Sequence, residues 1–276
     1  LWKNLGDGTF REVAFEVGVA VDENGQALAG MGVDIADIDG DLRLDIAVTN
    51  FAGELNSLYL ARTNGEYSDS ARSRGLATSH ANLGFGTALA DFDLDGHVDH
   101  IVANGHVDDL VESISQGRRL YQQEISYYRG AGKGRFAPAT PEETGPALAT
   151  RAVGRGLATA DIDGDGDLDV AISTIDRGLI LLENATPADR RRLAITLRGG
   201  RSGRDAYNAR VTVEIGGHRR AYEAQAARSY LSSCDPRIFV ALGEAERADR
   251  IVVHWPSGAE TTRTNVEPGA ITIEEP

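Results

Sequence analysis

The sequence predicts an all-β chain: about three four-stranded blades of a β-propeller, followed by a small antiparallel sandwich. Three observations carry that prediction. An acidic loop recurs three times, a glycine-turn hairpin recurs in phase with it, and from Arg192 onward apolar and polar residues alternate. Alternation is the signature of half-buried strands, and repeats of this size built from four short strands are characteristic of propeller blades.

The acidic loops read "ADIDGDLRLDIAVTN" from Ala36, "ADFDLDGHVDHIVAN" from Ala90 and "ADIDGDGDLDVAIST" from Ala160. Counting from the first Asp, all three carry Asp at positions 1, 3, 5 and 9: Asp37, Asp39, Asp41, Asp45; Asp91, Asp93, Asp95, Asp99; and Asp161, Asp163, Asp165, Asp169. Each loop follows a glycine-containing, half-apolar run ("MGVDI", "FGTAL", "RGLAT") and precedes a β-branched one, so it joins two strands. The hairpins "LWKNLGDGTFREVA", "LYLARTNGEYSDSA" and "YYRGAGKGRFAPAT" place Gly8, Gly65 and Gly134 two residues before an aromatic. A glycine turn between two short apolar runs makes a hairpin. Glycines spaced by 57 and 69 residues and first aspartates spaced by 54 and 70 put both elements in one unit.

Alternate carboxylates converging on one point fit a hard cation. Calcium accepts six to eight oxygens, which the side chains at positions 1, 3, 5 and 9, the carbonyl at position 7 and water can supply. The carbonyls are those of Arg43, His97 and Asp167, so the side chain of Asp167 is expected to be dispensable. Zinc or copper would call for the His or Cys that these loops mostly lack. An EF-hand is excluded: the flanks are β-branched, and Val48, Val102 and Ile172 occupy the position that its bidentate Glu requires. A dockerin-like pair would set its loops closer together. About three calcium sites are expected. The first should be the weakest, because Leu42 stands where the others have Gly96 and Gly166.

Net charge is −14 and unevenly placed: residues 1–186 hold 14 Lys and Arg against 30 Asp and Glu, residues 187–276 hold 14 against 12. The shift marks a boundary near Pro187, separating blades (1–186) from a second domain (187–276). No basic stripe exists in the acidic part, which argues against nucleic acid. No apolar run is long enough for a membrane span, and no charged-then-apolar leader is present. The chain opens in mid-repeat without Met and reads as a fragment with blades missing upstream, its open edges exposing unpaired strand groups. Cys234, the single cysteine, can form no internal disulfide.

Between Asp99 and Tyr127 lies the insertion "NGHVDDLVESISQGRRLYQQE", in which Val107, Leu110, Val111 and Ile114 recur at helical spacing. A short helix or lid over one end of the propeller is expected. Asn104, His106, Asp108 and Asp109 form a polar constellation there. It reads either as a capped helix start with a solvated His or as a ligand site at the propeller mouth. His beside carboxylates suits acid/base chemistry, so a lyase, hydrolase or cyclase around His106 and Asp109 is the rival to a binding module. No nucleophile, phosphate loop or oxyanion hole accompanies it. In the second domain five to seven strands are expected, with Trp255 plugging the core and His254 facing outward.

These residues resemble the FG-GAP/VCBS-repeat family, whose blades carry a "DxDxDGxxD" loop. "NGH" at Asn104–His106, "LLEN" at Leu181–Asn184, "RSYLSSCDPR" at Arg228–Arg237, "ALG" at Ala241–Gly243 and "VVHWPSG" at Val252–Gly258 resemble the ASPIC/UnbV group, a cartilage acidic protein-like family. Two departures stand out: "YNARVTV" at Tyr207 lacks the glycine usual before "ARV", and Cys234 replaces a polar residue. The resemblance implies secretion or export, calcium held in blade loops, a seven-bladed propeller in the full protein, and a protein or carbohydrate ligand of unknown identity.

Overall fold

A computed structural model describes residues 1–187 and 190–276. The chain is all-β, with five sheets of three or four strands and two short ribbons. A ribbon of β1 (Trp2–Asn4) and β2 (Phe10–Glu12) comes first. Blade one is β3 (Gly30–Ala36), β4 (Asp45–Asn50), β5 (Ser57–Ala61) and β6 (Tyr67–Asp69), antiparallel and in chain order. Blade two repeats it with β7 (Gly84–Ala90), β8 (Asp99–Asn104), β9 (Ser126–Gly130) and β10 (Phe136–Pro138).

Blade three has three strands rather than the expected four: β11 (Gly154–Ala160), β12 (Asp169–Thr174) and β13 (Gly178–Leu182). The reason is local. After Leu182 the chain turns back onto blade two, where Asn184 Nδ2 and Thr186 Oγ1 both donate to the Phe92 carbonyl, at 2.8 and 3.0 Å. Among the described residues no fourth strand runs beside β13.

The first strands β3, β7 and β11 lie side by side, and one glycine in each sets the spacing. A Cβ on Gly32 would sit 2.1 Å from the Phe85 carbonyl oxygen, and one on Gly86 would sit 2.5 Å from the Leu157 side chain. Each blade therefore approaches the next through a gap only glycine leaves open. Each first strand also carries a bulge just there, between Gly30 and Val33, Gly84 and Thr87, and Gly154 and Leu157.

In the C-terminal part the strands are β14 (Arg191–Arg198), β15 (Arg210–Ile215), β16 (His218–Glu223), β17 (Ala227–Arg228), β18 (Ser232–Ser233), β19 (Ile238–Gly243), β20 (Ala248–His254), β21 (Glu260–Val266) and β22 (Gly269–Glu274). Two sheets, β19-β14-β22 and β16-β15-β20-β21, share one core of Leu193, Ile195, Val211, Val213, Val240, Ile251, Val253 and Ile273. One sheet is mixed, not antiparallel as expected, because β14 and β22 run parallel. Trp255 is buried in that core with its indole N–H donating to Thr261 Oγ1 at 2.9 Å, and His254 is exposed.

The β17–β18 hairpin leaves the second domain and lies against the first strands of the blades. Val33 and Ser229 exchange backbone hydrogen bonds, Ser229 Oγ accepts the Thr87 N–H at 2.8 Å, and the Asp235 N–H donates to the Thr159 carbonyl at 2.9 Å. Gly156, the third of the spacing glycines, has Ser232 Oγ 2.9 Å from where its Cβ would be. The hairpin segment thus touches the first strand of every blade.

Candidate cation loops and their contact with the C-terminal domain

The three acidic loops share one hydrogen-bonded frame. Position 3 accepts the N–H of position 5 in Asp39–Asp41, Asp93–Asp95 and Asp163–Asp165. Position 5 accepts the N–H of position 7, from Arg43, His97 and Asp167. These side-chain turns repay the short Asp spacing, because a carboxylate two residues back mimics a turn carbonyl. Positions 4 and 6 are left-handed in every loop: Gly40 and Leu42, Leu94 and Gly96, Gly164 and Gly166. Leu42 and Leu94 hold that conformation with a Cβ, a strain of roughly 1–2 kcal/mol each. The frame needs left-handed backbone at position 4 as well as at position 6, which Leu94 conceals in the sequence.

Carboxylate oxygens of Asp37, Asp39 and Asp41 lie within 4.8 Å of one another, as do those of Asp91, Asp93 and Asp99, and those of Asp161, Asp163 and Asp165. Asp95 is exposed and outside its cluster. Position 9 has a second task. Asp45 accepts the N–H groups of Ile38 and Ala61; Asp99 those of Phe92 and Gly130 and the Tyr127 hydroxyl; Asp169 those of Ile162 and Asn184. Each therefore pins the loop's entry to the blade's third strand or the residues just past it, and all three are buried.

The electrostatics are those of carboxylates lacking a counter-charge. Burial, then Asp99, pushes Asp91 up to about 8; burial raises Asp45 to about 7 and Asp99 to about 6. Asp167 rises to about 7 through burial and then the charge of Asp165. Its side chain is 1% exposed and neither oxygen has a hydrogen-bond partner among the described residues. Asp91 Oδ1 and Asp161 Oδ1 are likewise buried and unpartnered. Orphaned buried oxygens are costly, and a divalent cation in each loop would satisfy those of Asp91 and Asp161. The donor set is all oxygen, which suits calcium or magnesium over softer metals.

The C-terminal domain reaches these loops through position 1. The Ala221 N–H donates to Asp37 Oδ2 at 2.9 Å, and Arg237 Nη1 donates to Asp161 Oδ2 at 3.3 Å. Arg192 donates to the Asp165 carbonyl, and its guanidinium is 3.7 Å from the Asp165 carboxylate. Arg220 draws Asp37 and Asp91 downward against their burial. Deeper in, Asp34 and Arg228 form a bidentate pair, Nε to Oδ1 and Nη2 to Oδ2, both at 2.7 Å. The sequence reading missed this pair. Its signal was faint: Asp34 is a lone charge in the apolar run "MGVDI", and Arg228 opens the "RSYLSSCDPR" segment 194 residues later.

The mouth constellation does not assemble. Asn104 Nδ2 donates to the Glu124 carbonyl and Ser126 Oγ, both at 2.8 Å, fastening the insertion, and Asp108 Oδ1 accepts the Leu110 N–H. Asp109 is exposed. His106 is buried rather than solvated: its ring meets Phe51 edge-on, Nδ1 accepts the Asp108 N–H at 3.1 Å, and burial holds its pKa below the usual value. The expected helix is one turn, Val111–Ile114, with Val111 buried and Val107, Leu110 and Ile114 exposed.

Comparison with known proteins agrees with this organisation. The model of FG-GAP-like repeats matches residues 37–102 and 106–172, and that of ASPIC and UnbV matches 199–276. Cartilage acidic protein 1 of Xenopus tropicalis is 28% identical over 97% of this chain and 39% of its own length. The Mus musculus protein of the same name is 33% identical over 60% of this chain and 22% of its own. The chain therefore spans well under half of these relatives. A solved Agrocybe aegerita lectin, described as recognising non-reducing terminal N-acetylglucosamine, superposes at a TM-score of 0.37 and 17% identity over 96% of this chain and 74% of that one, a likeness too slight to bear on ligand. Among the described residues no helix is long and apolar enough to cross a membrane.

Proposed function

Since the chain belongs to the FG-GAP-repeat proteins that carry a C-terminal ASPIC and UnbV domain, we propose that it is a calcium-binding, extracellular β-propeller module that holds a protein or carbohydrate ligand. The observation that carries this is the threefold recurrence of a tight carboxylate cluster in one backbone frame. Asp37, Asp39 and Asp41, Asp91, Asp93 and Asp99, and Asp161, Asp163 and Asp165 would hold the ions, with carbonyls at Arg43, His97 and Asp167. Bound calcium supplies counter-charge and rigidity, while the protein supplies the turn frame. By its resemblance to cartilage acidic protein, we read the blades as belonging to a seven-bladed ring and the module as exported.

The rival enzyme reading draws no support from the mouth, where His106 is buried and Asp109 exposed without a shared contact. Calorimetric titration and thermal melting test the proposal together. Binding to the native state alone raises stability by about 2.7 kcal/mol at a free concentration 100 times the dissociation constant. Chelation should lower the melting temperature, and calcium should restore it better than magnesium. A melting curve indifferent to chelator and calcium would end this reading.

A further inference from the structure

Between the acidic loops and the β16-β15-β20-β21 sheet lies a cleft of about 1040 Å³. That is at the upper end of the range for small-molecule sites, roughly 300–1,000 Å³. Its lining includes Asp39 and Asp41 of the first loop and Asp95 of the second, Lys133 and Arg135 of the blade-two hairpin packed beside the first loop, and Arg219 and Arg220 from β16. Among the described residues, the ion pairs around the loops use Arg43, Arg192 and Arg237, and none of the four cleft cations has a carboxylate within 4 Å, Arg220 acting on Asp37 and Asp91 from further away. Cations without a paired carboxylate, Lys133, Arg135 and Arg219, lining one cleft in a chain of net charge −14 are the feature to explain. Of the apolar residues lining it, Val213 and Leu242 belong to the buried core and Ile215 of β15 is partly exposed.

We propose that this cleft binds an anionic saccharide, a sugar bearing carboxylate or sulfate groups, with calcium in the first two loops as part of the site. This rests on the calcium reading above. The first two loops carry eight carboxylates against the four cations, and an ion in each loop brings that balance from −4 to neutral, so an anion can enter only when calcium is bound. Guanidinium forks match carboxylate and sulfate bidentately. Calcium takes six to eight oxygens, more than one loop provides, so adjacent sugar oxygens can complete the shell. A peptide of acidic residues would present its charges on flexible stems and lose more side-chain entropy on binding.

The test is titration of the whole chain with trigalacturonate, a heparin-derived tetrasaccharide, maltotriose and hexaglutamate, each in calcium and in chelator, after calcium alone has been titrated. Expected is binding of one or both anionic saccharides in calcium, the pair showing whether carboxylate or sulfate is preferred. The double variant Arg219→Ala/Arg220→Ala should bind at least about tenfold more weakly, the loss of charge-assisted contacts. Arg263→Ala, exposed on β21, should bind as the parent does. Calcium binding with no saccharide binding, equal affinity for maltotriose, preference for hexaglutamate, or an unaffected double variant would each overturn the cleft assignment while leaving the calcium reading intact. Absence of calcium binding would overturn that reading; saccharide binding that persists then would overturn the part given to calcium in the cleft.

Discussion

Removing the Asp34 carboxylate should be among the most damaging single changes in the chain. Its side chain is fully buried, and it accepts four hydrogen bonds: two from Arg228 and one each from the Leu89 and Ile35 N–H groups. Arg228, one-fifth exposed, also donates to the Leu89 carbonyl at 3.1 Å. Asp34→Ala strands a buried guanidinium and two backbone donors, a loss of about 3–5 kcal/mol. At ~2–4 °C per kcal/mol for a large domain, the calcium-saturated melting temperature should fall by roughly 6–20 °C. Calorimetric melting reads this directly, and loss of the pair should also let the two parts of the chain melt separately. The double variant Asp34→Leu/Arg228→Met should recover most of the loss, since two apolar residues of similar volume leave no charge stranded. A fall under about 2 °C for Asp34→Ala, or a double variant as weak as the sum of the singles, would refute the account.

Three further outcomes follow from the loops. Because Asp37 and Asp161 each touch both a carboxylate cluster and the C-terminal domain, calcium should slow hydrogen exchange across residues 218–237, which hold none of the expected ligands; protection confined to the blades would break that link. Asp167→Asn should raise the melting temperature in chelator, by removing a buried charge beside Asp165, and should weaken calcium binding far less than Asp161→Asn does; equal weakening would make the Asp167 side chain a ligand. The raised carboxyls set the pH response. A group whose folded pKa exceeds its unfolded value binds more protons when folded, so its contribution falls as pH rises between the two. For Asp91, with Asp99, Asp95 and Asp93 raising it and Arg220 lowering it, that fall runs from near 3.8 to about 8. Buried His100, held down at about 4, acts with the opposite sign below its unfolded value of about 6.5. In chelator the melting temperature should therefore drop from pH 7 to pH 9, and calcium should flatten the drop; a rise over that interval would contradict it.

What could be read in the sequence follows from how local each feature is. The loops were legible because residue type and spacing act within nine residues, and blade order because the loops recur in phase. The double use of Asp45, Asp99 and Asp169 was not, since a carboxylate that holds a cation and one that caps backbone N–H groups both require Asp at a fixed distance. The parallel pairing of β14 and β22 was hidden for a similar reason: alternation marks a half-buried strand but carries no direction. Blade three lost its fourth strand to contacts of Asn184 and Thr186 with Phe92, more than ninety residues away. The spacing glycines fall between these cases. Gly32, Gly86 and Gly156 occupy one position of the repeat, and in the first two the missing Cβ admits the next blade. A glycine at the same position in the last blade already asks what lies against it. The answer, Ser232 of the C-terminal hairpin, makes the second domain the neighbour of the blades, and it is that contact which brings Ala221, Arg220 and Arg237 to the acidic loops.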